Sequence, residues 1–198
     1  MRAWQEMFNE ELSRHQDQNP YTDEDYFAYV DGKPRYNGVR DFFASRGITL
    51  PEGDPSDGPA AQTICGLGNR KNDLFNTVLA RDGIQPYPGS RRWVDRLHES
   101  GMAMAVVSSS RNAAAVLKAA GMAEDFSVLV DGNRSKTKRL PGKPAPDTYL
   151  RGAELLGVPA EQCVVVEDAV SGVRAGAAGG FGMVLGVNRG VGADRLRE

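Results

Sequence analysis

The sequence predicts an α/β protein, with a parallel sheet flanked by helices on both faces and preceded by a smaller helical domain. From Tyr87 onward, short apolar strands alternate with helical patterns, which is the signature of a parallel sheet covered by its crossover helices. Up to Pro86 there are helical periodicities and polar loops but no convincing strand. The turn Tyr87-Pro88-Gly89-Ser90 separates these regimes, giving a helical domain over 1–86 and a sheet-containing domain over 87–198. At 198 residues and 40% hydrophobic content, the chain has room for one good core and a smaller companion.

Trp4, Met7, Phe8 and Leu12 recur at helical spacing, so the chain opens inside an amphipathic helix with no capping residue before it. Thr22 and Asp25 form a capping box for a short helix through Tyr26, Phe27 and Val30, which the turn Asp31-Gly32-Lys33-Pro34 ends. A helix over 39–45 follows, then the breaker-rich loop 51–59, then a helix through Leu74, Phe75, Val78 and Leu79. Ser90 is placed as the N-cap of a helix bearing Trp93, Val94 and Leu97. Beyond it, strands are expected at 103–108, 127–130, 163–166 and 182–187, separated by helices over 113–120, 146–156 and 170–178. Ligands of open sheets of this type bind beyond the C-terminal strand ends, where Ser108 and Glu167-Asp168 fall.

The formal net charge of −2 and the dispersed basic residues provide no field for a nucleic acid or a membrane surface, so neither is expected as a partner. Cys65 and Cys163 lie far apart and outside any CxxC or Cys/His cluster, which suggests neither a disulfide nor a zinc site. No stretch is long and apolar enough to span a bilayer, and the opening residues lack the apolar core of a signal peptide; a cytoplasmic location is expected. His15 and His98 are isolated from any nucleophile. The glycine-rich run 176–182 ends a helix and precedes a strand, the reverse of a dinucleotide-binding loop.

Three clusters carry chemistry. Ser108, Ser109 and Ser110 follow an apolar strand and precede a helix, where hydroxyls and free amides can converge on an oxyanion. A serine there is also a common helix cap; Arg111 and Asn112, placed in the first helical turn, favour a bound anion because a cation there opposes the helix dipole. Lys143 sits in a turn bracketed by Pro144 and Pro146. At about 4 Å and an effective dielectric near 20, a lysine attracts a phosphate charge by roughly 4 kcal/mol before desolvation. Glu167 and Asp168 close an apolar strand, and adjacent carboxylates there suit a hard cation such as Mg²⁺ that keeps several waters; helix capping by Asp168 is the alternative. In the first domain, Arg70, Lys71 and Asn72 are placed at the start of a helix against the dipole preference, and Arg35 is a second candidate for a remote anionic part of a substrate.

The wording VVSSSRN, PGKPAPD and VVVEDAVSGVRAG, in that order, resembles the haloacid dehalogenase superfamily and its beta-phosphoglucomutase-like branch; RAWQEMF, GNRKND and YPGS match as well. The resemblance implies a Rossmann-like core with a small helical cap inserted after the first strand, and a magnesium-assisted aspartate that takes the phosphoryl group. By resemblance, Ser108 binds the transferring phosphoryl, Lys143 neutralises it, and Glu167 and Asp168 help to hold Mg²⁺, Asp168 more directly. Arg111 and Asn112, with Ser109 and Ser110 beside them, fall near the substrate's second phosphate, and Arg35, Arg70, Lys71 and Asn72 match cap positions that contact a phosphosugar.

The family's first strand, an apolar run ending in Asp-x-Asp, has no counterpart in the sequence, and its absence is expected to leave a gap between the strands ending at Ser108 and Glu167. The expected function is that of a Mg²⁺-dependent phosphosugar mutase interconverting beta-glucose 1-phosphate and glucose 6-phosphate, inactive or impaired for want of the nucleophile. A phosphosugar phosphatase is the alternative, and a non-catalytic phosphosugar binder is the alternative of another class. The expected partner is a small phosphorylated sugar, and the expected state is a monomer unless strand exchange completes the sheet.

Overall fold

A computed structural model describes residues 1–197. The chain divides into two compact units, Met1–Asp82 and a second that begins at Gly83.

The first unit is helical: α1 (Arg2–Leu12), α2 (Asp23–Asp25), a π-helical turn (Tyr26–Val30), α3 (Arg35–Ser45) and α4 (Ile64–Asp82). The i, i+3, i+4 pattern of α1 buries Trp4, Met7, Phe8 and Leu12 on one face. Phe8 is the centre of the core, its ring lying 4.1 Å from Phe42, 4.8 Å from Tyr21 and 5.4 Å from Phe43. These tilted and edge-on arrangements are the favoured ones for aromatic pairs. The capping box forms, with the Thr22 amide donating to Asp25 Oδ2 at 2.9 Å and the Asp25 amide to Thr22 Oγ1 at 3.2 Å.

Helix α4 corrects the sequence reading. It begins at Ile64, so Asn69–Asp73 lie inside a helix and not at its dipole-exposed start. Thr63 sets that start: its Oγ1 accepts from the Gly66 amide at 2.9 Å while donating to Asp57 Oδ2 at 2.6 Å. Two glycines inside the helix are required by close approach. A Cβ at Gly68 would lie 2.7 Å from the Tyr36 ring, and one at Gly66 would meet the Ala61 carbonyl.

The second unit runs α5 (Pro88–Glu99), β1 (Ala105–Val107), α6 (Ala113–Ala119), β2 (Val128–Val130), α7 (Gly132–Thr137), α8 (Asp147–Leu156), β3 (Val164–Glu167), α9 (Val170–Ala178) and β4 (Met183–Gly186). β1 pairs in parallel with β2 (Val107 opposite Val130), and β3 with β4 (Glu167 opposite Gly186). No described strand joins the two pairs. What connects them is an apolar cluster in which Tyr149 of α8, Val165 of β3 and Ala175 of α9 are buried, with Val107, Phe181 and Val184 against it.

Several expectations fail in this unit. Ser90 does not cap α5; Pro88, whose fixed φ suits the first helical position, starts the helix one turn earlier with Tyr87 as N-cap. Asn112 is the N-cap of α6, so Arg111 and Asn112 precede its first turn instead of lying within it. Among the described residues one face of β3–β4 is left open. α8 and α9 lie against one side, while Val164, Val166, Met183 and Leu185, on the opposite face of β3–β4, are 41–56% exposed. Helix α7 was not expected at all: its residues GNRSKT include no apolar side chain to reveal a period, and its start depends on the Asp131 carboxylate, which accepts from the Asn133 and Arg134 amides. Among the described residues no helix is long and apolar enough to cross a membrane.

Because Phe8 is wholly buried among four aromatic neighbours, Phe8→Ala is expected to destabilise the helical unit by about 3–5 kcal/mol. Urea denaturation followed by circular dichroism checks this; a change below about 1 kcal/mol would mean the core closes around the void.

Candidate active site

The C-terminal end of β3 delivers Glu167 and Asp168 side by side, and their surroundings differ sharply. Glu167 Oε1 accepts from Lys143 Nζ at 2.7 Å, and the two side chains are only 12% and 5% exposed. Glu167 Oε2 accepts from the Asp168 amide at 3.2 Å. The carboxylate folds back over the first turn of α9, where a Cβ at Gly172 would overlap it, so only glycine leaves it room. Asp168 instead is about half exposed, and its Oδ2 lies 3.4 Å from Arg189 Nε, beyond ordinary hydrogen-bond length.

Lys143 is positioned by the turn before α8; its peptide bond to Pro144 is cis. Its ammonium lies 4.6 Å from the centroid of the Tyr149 ring, whose negative face favours a cation. Burial, reinforced by the Glu167 charge, holds the Tyr149 phenol above its ordinary pKa, so it stays protonated at neutral pH.

Ser108 extends β1, its amide donating to the Val130 carbonyl at 2.9 Å. Its Oγ accepts from the Ser110 amide at 3.2 Å, and Ser110 Oγ from the Asn112 amide at 3.1 Å, so both hydroxyls stiffen the loop that follows β1. Helix α7 buttresses the same loop. Asn133 Nδ2 donates to the Arg111 carbonyl at 3.0 Å, and the Gly132 amide to the Ser110 carbonyl at 3.1 Å.

In the helical unit, Lys71 lies 4.7 Å from the centroid of Trp4 and 4.9 Å from that of Phe75. Its pKa falls to about 8, chiefly through burial and secondarily through the charge of Arg35. Arg35 is the first residue of α3 and reaches over the Tyr36 ring at 5.2 Å. Arg70 is engaged in holding the fold: Nε donates to the Pro59 carbonyl at 2.7 Å, and Nη1 pairs with Glu10 at 3.2 Å and with the buried Glu11 at 4.0 Å. Asn72 follows Lys71 in the same turn of α4.

Lys143 and Glu167 are thus in direct contact, with Asp168 beside them and the Ser108 loop following a strand of the same unit. Sequence reasoning missed Tyr149, Gly172, Arg189 and the buttress Asp131–Asn133. Only Gly172, in the motif EDAVSG, left a signal: a glycine two positions into a helix invites the question of what lies against it.

Among the described residues no cluster of three or more His, Cys, Asp or Glu side chains gathers for a metal. The donor set is two carboxylates, one of them half exposed. That fits a hard cation such as magnesium, which binds through one or two carboxylates and completes its shell with water and phosphate oxygens.

The fold and this site define a class: an α/β protein with a helical companion unit and a lysine–carboxylate site at a strand end. Residues 1–180 match the haloacid dehalogenase-like hydrolases, and the chain belongs to that family. Within it, the chain is 45% identical over 194 residues to a beta-phosphoglucomutase of Mycobacterium bovis, covering 95% of this chain and 74% of that protein. It is 33% identical over 177 residues to hexitol phosphatase A of Escherichia coli, covering 88% and 72%. A crystal structure of beta-phosphoglucomutase from Clostridium difficile superposes with a TM-score of 0.74 at 18% identity, covering 93% of this chain and 75% of the other. That likeness is one of fold.

Two consequences can be measured. Gly172→Ala is expected to force the Glu167 carboxylate off its place and to cost about 1–3 kcal/mol in urea denaturation; unchanged stability would show that the carboxylate has an equally good alternative position. Lys71→Met removes a cation that the folded state disfavours. For this amine the folded pKa lies below the unfolded one, so its cost is fully present below about pH 8 and is relieved as pH rises from about 8 towards 10.5. The variant should therefore be more stable than the parent at pH 7, by up to about 3 kcal/mol less what the two aromatic contacts contribute. The advantage should shrink above pH 8, and one that grows there would refute the assignment.

Proposed function

We propose that the chain handles phosphorylated sugars as a magnesium-dependent phosphosugar mutase, with beta-glucose 1-phosphate and glucose 6-phosphate as substrate and product. In this reading the helical unit is the cap, the second unit is the Rossmann-like core, and the chain is a monomer. The observation that carries the reading is the buried Lys143–Glu167 pair with Asp168 beside it, in a chain 45% identical to a beta-phosphoglucomutase.

Each residue has a physical task. Lys143 carries three donors, so it can keep Glu167 as partner and still offer a proton to a phosphoryl oxygen, in a buried setting where charge-assisted bonds are strong. The loop of Ser108, Ser109, Ser110, Arg111 and Asn112, braced by α7, supplies hydroxyls, amides and a cation for phosphate oxygens. Asp168, aided by Glu167, holds the magnesium, which when bound offsets the negative charge of the phosphoryl group. Arg35 and Lys71, with Asn72, contact the remote part of the sugar phosphate; Arg70 serves them by fixing the loop and helix around them.

The resemblance assigns the attack to an aspartate that ends an apolar strand, and the 198 residues include no apolar run ending in Asp-x-Asp. We therefore expect these residues by themselves to bind without turnover. A second reading, a phosphatase that passes the phosphoryl group to water, draws on the 33% identity to hexitol phosphatase A.

Calorimetric titration with glucose 6-phosphate in the presence of Mg²⁺ tests the proposal. Asp168→Ala should weaken binding about tenfold, the worth of one charge-assisted contact, and leave Mg²⁺-free binding unchanged. A coupled assay should detect no conversion of beta-glucose 1-phosphate; turnover that Asp168→Ala abolishes would show that these residues contain their own attacking group.

A further inference from the structure

Arg189 belongs to none of the three motifs, yet its guanidinium meets three groups at once. Its Nη2 donates to Ser90 Oγ at 2.8 Å, its Cζ lies 3.9 Å from the centroid of the Tyr87 ring, and its Nε faces Asp168 Oδ2 at 3.4 Å. The loop that presents it is built for the purpose. The Val187 amide donates to the Glu167 carbonyl at 2.8 Å, which carries the β3–β4 ladder one step further. Immediately beyond, Asn188 Oδ1 accepts from the amides of Gly190 and Gly192 at 3.0 and 3.1 Å. Both glycines have positive φ, so the chain can curl around that carboxamide and hold Arg189 opposite the end of β3.

The three contacts are unequal. The stack on Tyr87 and the bond to Ser90 are short, and both partners belong to the start of α5. The contact with Asp168 is a long ion pair between side chains 27% and 49% exposed, which is the weak and easily exchanged kind. Glu167 beside it is held by a buried lysine at 2.7 Å. Of the two carboxylates, then, one is fixed and the other is kept company by a cation anchored elsewhere.

We propose that Arg189 is a positioning residue: the resident counter-ion of Asp168, which holds this carboxylate towards the site in the cation-free protein and yields it to a divalent cation. The inference rests on the reading that Asp168 takes a cation. When the cation arrives, Arg189 keeps Tyr87 and Ser90 and gives up only its third contact, so the loop does not have to rearrange. Its guanidinium charge competes with the metal throughout and sets a lower affinity than the carboxylates alone would give.

Binding of Mn²⁺ to the whole chain, followed by the loss of the free-ion electron paramagnetic resonance signal, tests this without any turnover. Arg189→Met should bind Mn²⁺ about two- to fivefold more tightly than the parent, the range of an exposed ion pair. Arg189→Lys keeps the charge and should bind like the parent, although it loses the planar stack and the forked donor. A purely structural role predicts the opposite pattern, with Lys and Met variants equally weakened. Arg189→Gln, which retains a donor for Ser90, serves as the neutral variant if Met disturbs the loop. Neutral variants that bind no more tightly than the parent would overturn the proposal. Mn²⁺ binding that Asp168→Ala leaves intact would overturn the reading beneath it, and the two failures are separately visible.

Discussion

The buried ion pair between Lys143 and Glu167 is the interaction on which the second unit's site depends. Neither charge could remain there alone. Leaving one of them unpaired in so dry a place costs about 3–5 kcal/mol, so the turn before α8 and the end of β3 are fixed relative to one another. The first precedes α8, which packs on β1 and β2, and the second ends β3, and no described strand connects the two strand pairs. Tyr149 supports both, its ring beneath the ammonium and its flank in the cluster with Val165. The two strand pairs are thus joined by the apolar cluster around Tyr149 of α8, and the turn before that helix is tied to the end of β3 by one pair of charges.

That constraint explains why two adjacent carboxylates of one motif have different characters. Glu167 is drawn inward by Lys143 and lies across Gly172, whereas Asp168, one residue on, emerges towards solvent and meets Arg189. A strand alternates its side chains between faces, so the residue after Glu167 points away from it. Asp168 is therefore the carboxylate that can change partners, and Glu167 the one that holds the frame in which it does so.

Much of this was legible in the sequence because it is written in periodicity and in charge at strand ends. Trp4, Met7, Phe8 and Leu12 declare α1, and CVVV followed by Glu-Asp declares β3 and its two carboxylates. The lapses fall where a structure depends on a single hydrogen bond or on a distant neighbour. Thr63 starts α4 well before Asn69 because Asp57 and the Gly66 amide both meet its hydroxyl, and no periodicity records that. Helix α7 has no apolar residue to betray it. Arg70 has two nitrogens engaged by the Pro59 carbonyl and Glu10, partners that no motif around it records. Tyr149 and Arg189 lie far in sequence from what they touch, so a motif centred on Lys143 or Asp168 cannot include them.

The cations of the two units also follow different physical logic, and the difference bears on what each can do. Lys143 has a carboxylate at 2.7 Å that neutralises it in place. Lys71 has aromatic faces on two sides and Arg35 as an electrostatic neighbour, so burial and like charge both oppose its proton. A cation held against such opposition gains more from an arriving anion than one already paired, because the anion relieves a cost that the empty protein carries. An anionic ligand near Lys71 would raise its pKa and stabilise the helical unit at the same time. Affinity there would then come from relief of strain in the free protein, whereas at Lys143 it would come from sharing a cation whose charge is already balanced.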